Sequence, residues 1–453
     1  MSEIKINTSN ITGKIKPMHA VNNGPVYKFG EAQRITNIEA YKAAGIPYAR
    51  THDSSFNSTY GGPHTVDINA IFPDFDKDPY DENSYDFVMT DEYLRVIDFA
   101  GTKPFYRLGA AIEHGIKKYN TMPPKDFHKW AVICEHIIRH YNEGWANGFH
   151  YNIEYWEIWN EPDINADDSD NKLCWGGTAA QFYKLYNITA KHLKSNFPNL
   201  KIGGPAVTEV EDGDSIFPWK VDWVDNFLKS IEIKPDFFSW HCYPNDVNYM
   251  VSKVRKTRKV LDSYGLQDTE SILDEWNYVK GWCGDEWLYS LRQEKGIKGA
   301  AFIASAMCSC QYEPLDMLMY YDARPCGMNG MFNTDFVCDC LKGYYPFRMF
   351  NELYKLKNCV KAESDNVNIK ACAAVSEDGE NAAVMISYFD DNDDAPAEKF
   401  SLDVSTFSNS PKAEIYLLDD TRDMERIKTE TLDSGKLALD IPLFATYLIK
   451  LTK

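Results

Sequence analysis

The chain lacks any apolar run able to span a bilayer: its longest small-apolar stretch, 300–308, falls well short of the ~20 residues required. Residues 1–18 carry no apolar core of the kind that directs secretion. Positive charge is in deficit, with 48 Lys plus Arg against 67 Asp plus Glu and a formal charge of −19. That balance argues against nucleic acid and against anionic membrane surfaces, both of which need a positive field. No internal repeat, low-complexity tract, Walker loop or Gly-x-Gly-x-x-Gly turn follows a candidate strand, and no His-Glu-x-x-His pair is present. The cysteines number 11 and are scattered, a pattern that fits a reduced, cytoplasmic protein better than a disulfide scaffold.

What is abundant is aromatic: 14% of residues, with 11 Trp, 28 Tyr and 24 Phe. Rings fill large cores, and they also stack on the apolar faces of sugars. At 453 residues the chain exceeds what one core usually supports, so one large domain and a smaller one are expected. Short apolar runs at 16–20, 46–51, 104–108, 154–160, 201–204, 237–241, 272–275 and 319–322 alternate with helix-period segments. Helices are predicted over 31–44, 91–100, 126–142, 178–196, 219–230, 247–264 and 287–310. Strands alternating with helices eight times predict an α/β fold, a (β/α)8 TIM barrel over 1–350.

Beyond residue 350 the pattern changes to short β-prone runs separated by Asp, Asn and Gly turns, which predicts a smaller C-terminal β-sandwich over 351–453. The run 390–395, DDNDDA, reads as a solvated hairpin tip. It lacks the spaced glycine and terminal glutamate of a calcium loop.

The strongest chemical signal is Trp156-Glu157-Ile158-Trp159-Asn160-Glu161-Pro162 at the end of the fourth strand, the end where barrel enzymes place reactive groups. Asn-Glu-Pro can also be a plain helix-start turn. A second carboxylate is offered by Glu275 in Leu273-Asp274-Glu275-Trp276-Asn277, ending the seventh strand across the barrel mouth. Strict alternation would turn Asp274 to the other side of its strand.

With these motifs the chain resembles the glycoside hydrolases of clan A. Gly203-Gly204-Pro205-Ala206 and Ser239-Trp240-His241-Cys242-Tyr243-Pro244 narrow the likeness to family 39, whose members include β-xylosidases and α-L-iduronidases. The resemblance covers about 16–350 and implies a retaining hydrolase, with Glu161 as acid/base and Glu275 as nucleophile. It further implies that Asn160 binds the sugar 2-hydroxyl, that His241 tunes the acid, and that Tyr243 donates to Glu275. Arg50 and His52, in Tyr48-Ala49-Arg50-Thr51-His52, match the family's Arg-x-His pattern, with His52 meeting sugar hydroxyls and Trp276 flanking the site. A histidine on an apolar strand is otherwise an ordinary core residue, and Arg50 is equally a buried ion-pair partner. No metal and no cofactor is implied.

After the eighth strand, Tyr321-Asp322-Ala323-Arg324 holds one acid and an arginine where the family's xylosidases carry an acidic cluster. Arg324 is thus a candidate for meeting a carboxylated sugar. The segment 59–85, with His64, Asp67, Phe72, Asp74, Phe75 and Asp76, is expected to wall the pocket and restrict it to chain ends. The expectation is an exo-acting hydrolase of short oligosaccharides, with β-xylose as the terminal sugar. The same machinery on an arabinoside, glucoside or uronic-acid-containing glycoside is one alternative, and a catalytically silent sugar-binding barrel is another. Self-association into a homo-oligomer stays open.

Overall fold

The computed structural model describes residues 2–30, 36–53, 65–113, 118, 120–210, 217–335 and 338–453. The first strand, β1 (Ser2–Lys14), stands outside the barrel. The barrel itself closes through β2 (Ala20–Asn22), β3 (Tyr48–Arg50), β4 (Lys103–Leu108), β5 (Tyr155–Ile158), β6 (Lys201–Val207), β7 (Phe237–Cys242), β8 (Glu270–Trp276) and β9 (Met317–Tyr320). All neighbours are parallel, and β9 pairs back onto β2. These strands read as almost unbroken buried runs because helices cover their outer faces.

Helix boundaries follow local chemistry. Helix Ala179–Asn196 starts on a capping box, in which Thr178 accepts from the Gln181 amide and Gln181 accepts from the Thr178 amide. Asp126 caps helix Phe127–Glu143, which ends on left-handed Gly144. The single helix expected over 287–310 is two, Gly284–Gln293 and Ile297–Cys310, separated at Gly296, whose backbone is extended.

Inside the barrel the lower layer is apolar: Ala20, Phe105, Tyr155, Phe237, Ile272, Met317 and Met319 form a cluster of their own. Gly203 allows β6 to approach β7 there, since a Cβ would sit 2.2 Å from the Phe237 carbonyl oxygen. The layer above is charged, and it supports the site.

The second domain is a nine-stranded sheet containing β10 (Asn358–Ser364), β11 (Ile369–Val375), β12 (Asn381–Tyr388), β13 (Glu398–Asp403), β14 (Lys412–Leu418), β15 (Glu425–Thr431), β16 (Lys436–Ile441) and β17 (Thr446–Thr452). Its order is β15-β14-β17-β12-β11-β10-β1-β13-β16. The sheet folds over a shared core, bringing Phe400 of β13 to 5.7 Å from Tyr447 of β17 although four strands lie between them. The division expected at 1–350 and 351–453 is corrected at the N-terminus, because β1 pairs antiparallel with β10 and parallel with β13.

The two domains share a wall. Ile369, Ala371 and Ala373 face the sheet's own core, whereas the alternate Cys372 and Ala374 face the barrel core. Helix Ile297–Cys310, buried along nearly its whole length, fills that interface, with Phe302 against Phe389 at 5.3 Å. The run 390–395 is likewise not merely a solvated tip: Asp391 and Asp393 accept from buried Lys298 of that helix at 3.0 and 2.8 Å.

Candidate active site

At the top of the barrel β5 runs into a turn that backbone sterics resist. Trp159 and Glu161 both have positive φ, 79° and 46°, a conformation costing on the order of 1–3 kcal/mol for each residue with a side chain. Neighbouring strands hold the turn: the Trp159 amide donates to the Leu108 carbonyl at 2.7 Å and the Glu161 amide to the Ala206 carbonyl at 2.9 Å. Gly109 is required beside it, because a Cβ there would come 2.8 Å from the Trp159 ring. Asp163, fully buried, accepts from the Thr208 amide and hydroxyl and ties the following loop to β6.

The result turns the Glu161 carboxylate inward, where His241 Nδ1 lies 2.9 Å from its Oε1. Burial lowers the His241 pKa to about 4, so the imidazole is neutral at ordinary pH. Across the mouth Glu275 accepts from the Tyr243 hydroxyl at 2.7 Å and from Arg50 Nη1 at 2.8 Å. Oxygen atoms of Glu161 and Glu275 and a ring nitrogen of His241 all lie within 4.8 Å of one another. Such a trio has the spacing of a metal site. The Arg50 guanidinium already supplies the cation that Glu275 needs, so no metal is required to balance it.

Arg50 is completely buried and spends every direction of its fork. Nε meets Glu157 at 2.7 Å and Asp274 at 3.0 Å, while Nη2 donates to Asn160 Oδ1 at 2.6 Å and Nη1 also reaches Asn22 at 3.1 Å. Burial would lower its pKa, but the three carboxylates more than offset this and hold the guanidinium charged. Asp274 is pushed well above the usual carboxylate range, first by burial and then by Glu157 beside it. Asp274 faces this cluster because β8 bulges there: His241 pairs with Glu275 directly after Trp240 pairs with Leu273, leaving Asp274 unpaired. Simple alternation, which would have turned Asp274 away, therefore fails at this position.

Burial also raises the Glu275 pKa, with Glu161 adding to the rise and Arg50 and Tyr243 opposing it. Tyr243 itself, pushed far above its ordinary value by burial, remains a proton donor throughout. His52 lines the same cavity, with Nε2 3.8 Å from Glu275 Oε1, and Tyr321 closes the side next to it.

Two expected ligands stand elsewhere. Trp276 is fully buried between Phe302 and Tyr320, on the helix side of β8, because it follows Glu275 on a strand whose faces alternate. Arg324 is 3% exposed and held by Asp53 at 3.4 Å and Asp322 at 3.3 Å, so its charge is already committed. The described part of the expected wall, 65–85, serves structure: Asp67 accepts from Arg107 and from the Ala111 amide, and Phe72 packs on Tyr85. His64 lies outside the described residues.

Residues that the motifs did not single out also belong to the site. Glu157 is inside the buried cluster, one turn of alternation before Trp159, and Trp282 and Phe217 form the outer rim of the cavity. Trp156, Trp159 and Trp240, by contrast, are core. Exposed tryptophans outside the strands are the signal that would have found the rim.

The family model described as glycosyl hydrolases family 39 matches residues 40–274. A β-xylosidase of Geobacillus stearothermophilus is 29% identical over 214 residues, covering 43% of this chain and 37% of that protein. One from Caldicellulosiruptor saccharolyticus is 28% identical over 179 residues, 37% of this chain and 33% of the other. The match thus spans about a third of the length of these curated relatives. Among solved structures, a glucosidase from Croceicoccus marinus superposes with a TM-score of 0.78 at 19% identity, covering 100% of this chain and 99% of its own. A monomeric β-xylosidase from Caulobacter crescentus CB15 gives 0.68 at 15% identity, over 100% and 99% of the two chains. At those identities the likeness is one of fold.

Proposed function

The chain belongs to the glycosyl hydrolases of family 39, and from that premise we propose that it is a retaining glycosidase removing a terminal sugar from short glycosides, with β-xylose the first sugar to test. The observation that carries this reading is the pair of inward carboxylates with opposite surroundings. Neutral His241 sits closer to Glu161, at 2.9 Å against 3.5 Å to Glu275, whereas Glu275 alone of the two is bound by a permanent cation and a phenol. A carboxylate so bound is a nucleophile, and Glu161 beside a neutral ring is suited to give and take a proton.

The approach of Glu161 to Glu275 within 4.8 Å supports double displacement, since retaining enzymes place their carboxyls about 5–5.5 Å apart and inverting ones leave room for a water. Glu275 attacks the anomeric carbon while Glu161 protonates the departing oxygen. Water, deprotonated by Glu161, then releases the sugar from Glu275. Asn160, oriented by Arg50, is positioned to meet the 2-hydroxyl of a sugar bonded to Glu275. The commitment of Arg324 to Asp53 and Asp322 disfavours a uronic acid. All 11 cysteines are free thiols, and we assign the protein to the cytoplasm on that chemistry.

A panel of aryl glycosides differing only in the sugar tests the reading. Turnover of one or more by the wild type is expected, with Glu161→Gln lowering kcat about 10²–10⁴-fold for poor leaving groups. Glu275→Gln should leave no accumulated glycosyl-enzyme. Proton NMR should show the first-formed anomer to be that of the substrate, and an inverted first product would refute double displacement.

A further inference from the structure

We propose that the leaving-group side of this site is built for an apolar aglycone, aromatic or long-chain, and not for a second sugar. The proposal rests on the hydrolase reading above and names its substrate class. The cavity over Glu161 and Glu275 is about 710 Å³, in the range that accommodates a sugar ring together with a sizeable second group.

The two halves of the cavity differ in chemistry. Around the carboxylates the described lining is polar: His52, Tyr243 and Tyr321 face the place of the terminal sugar. The rest of the described lining includes Ile112, Ile164, Leu173 and Met328, together with exposed Phe217 and Trp282. Aliphatic side chains offer no partner to a hydroxyl, so a second sugar there would lose water without replacing its hydrogen bonds.

Two of the three polar side chains on this outer wall, Thr208 and Glu209, already have hydrogen-bonding partners. Thr208 donates its hydroxyl to Asp163 at 2.8 Å. Glu209 accepts from Lys253 at 2.7 Å and from Tyr249 at 3.0 Å. Lys220 lies 5.1 Å from the Phe217 ring centroid, over its face.

Trp282 is 59% exposed, and its indole stacks on Trp287 at 5.4 Å while turning an edge to Tyr243 at 5.2 Å. A large ring fixed from behind and open in front, on the same cavity as exposed Phe217, is a platform for a flat or extended apolar group. Tyr243 touches both the platform and the nucleophile, so an aglycone on Trp282 leaves directly past Glu161 and Glu275.

Alkyl glycosides separate this inference from the reading it rests on, because methyl, butyl and octyl alcohols are nearly equally basic leaving groups. The sugar is the one turned over in the aryl panel, and the octyl compound is kept below its micelle concentration. Each buried methylene is worth about fourfold, so kcat/KM is expected to rise about tenfold or more from methyl to octyl, mainly through KM. The octyl glycoside should also have a lower KM than the corresponding disaccharide. Trp282→Ala, with Phe217→Ala as a second variant, should flatten the series, bringing the octyl-to-methyl ratio of kcat/KM within each variant toward one. A flat wild-type series, or a disaccharide with a lower KM than the octyl glycoside, overturns the apolar subsite while leaving the hydrolase reading intact. Absence of turnover on every aryl glycoside removes the hydrolase reading itself.

Discussion

On the proposed mechanism Glu275 has to be ionised to attack, yet its surroundings push in both directions. Burial raises its pKa and Glu161 adds to that, while Arg50 and the Tyr243 hydroxyl bring it back. Activity is therefore expected to fall with acid through a pKa above the ordinary carboxylate value, as the nucleophile takes up a proton. Removing only the hydroxyl, in Tyr243→Phe, deletes a donor to the charged form. A hydrogen bond to a charged group is worth about 1.5–3 kcal/mol and one pH unit corresponds to about 1.36 kcal/mol, so the acid limb of kcat/KM should move up by about one to two units. An unmoved limb would mean that Tyr243 contributes shape only. At this scale motifs named residues that the fold brings together, as with Glu161 and Glu275, and the sequence was silent where geometry broke a rule. Asp274 enters the cluster through a one-residue bulge, and nothing in Leu273-Asp274-Glu275-Trp276 announces that extra residue. Trp276 was drawn to the sugar by its neighbour, although the alternation of a strand sends it to the helices.

Among the elements, the eight barrel strands were legible because each is a short apolar run bounded by a helix, and seven of them overlap the predicted runs, the last by only two residues, 319–322 against Met317–Tyr320. The first is displaced, from 16–20 to Ala20–Asn22, since its three residues carry no pattern of their own. β1 was missed for a different reason. Its alternation is present in Ser2, Ile4 and Ile6, which are buried between exposed Glu3, Lys5 and Asn7. Its partners β10 and β13 are more than 340 residues away, and no local signal reports such a pairing. Because β1 joins β10 to β13, the sheet depends on it. Ile4 is fully buried in the sheet's core, so Ile4→Ala should cost about 2–4 kcal/mol in urea unfolding, whereas exposed Lys5→Ala should cost less than about 0.5. Equal costs for the two would show that β1 is an ornament on the sheet and not a member of it.

For the whole molecule, the opening expectation of two domains survives, but they are joined more firmly than a linker would join them. The acidic run 390–395 looks soluble in isolation; only the fold brings Lys298, 1% exposed on its side chain, under Asp391 and Asp393. Lys298 also meets the Tyr289 hydroxyl at 2.9 Å, and Asp391 takes further bonds from Tyr278 at 2.6 Å and Asn245 at 2.8 Å. Burial alone would lower the Lys298 pKa, yet these partners raise it above the ordinary value, while Asp391 and Asp393 are lowered despite partial burial. The carboxylates' contribution to stability is thus complete above their unfolded pKa near 3.9 and is lost as pH falls through the lower folded values. All 11 tryptophans lie between Trp130 and Trp287, inside the barrel, so tryptophan fluorescence follows the barrel and far-ultraviolet circular dichroism follows both domains. In wild type the two signals should report one coincident urea transition. Lys298→Met keeps the volume and leaves partly exposed carboxylates facing an apolar helix, which should destabilise by about 1–3 kcal/mol after allowance for solvent screening. Adding Asp391→Asn and Asp393→Asn should restore part of that loss. If the circular-dichroism transition alone moves while fluorescence stays fixed, the sheet melts independently, and the lysine beneath it does not couple the two domains.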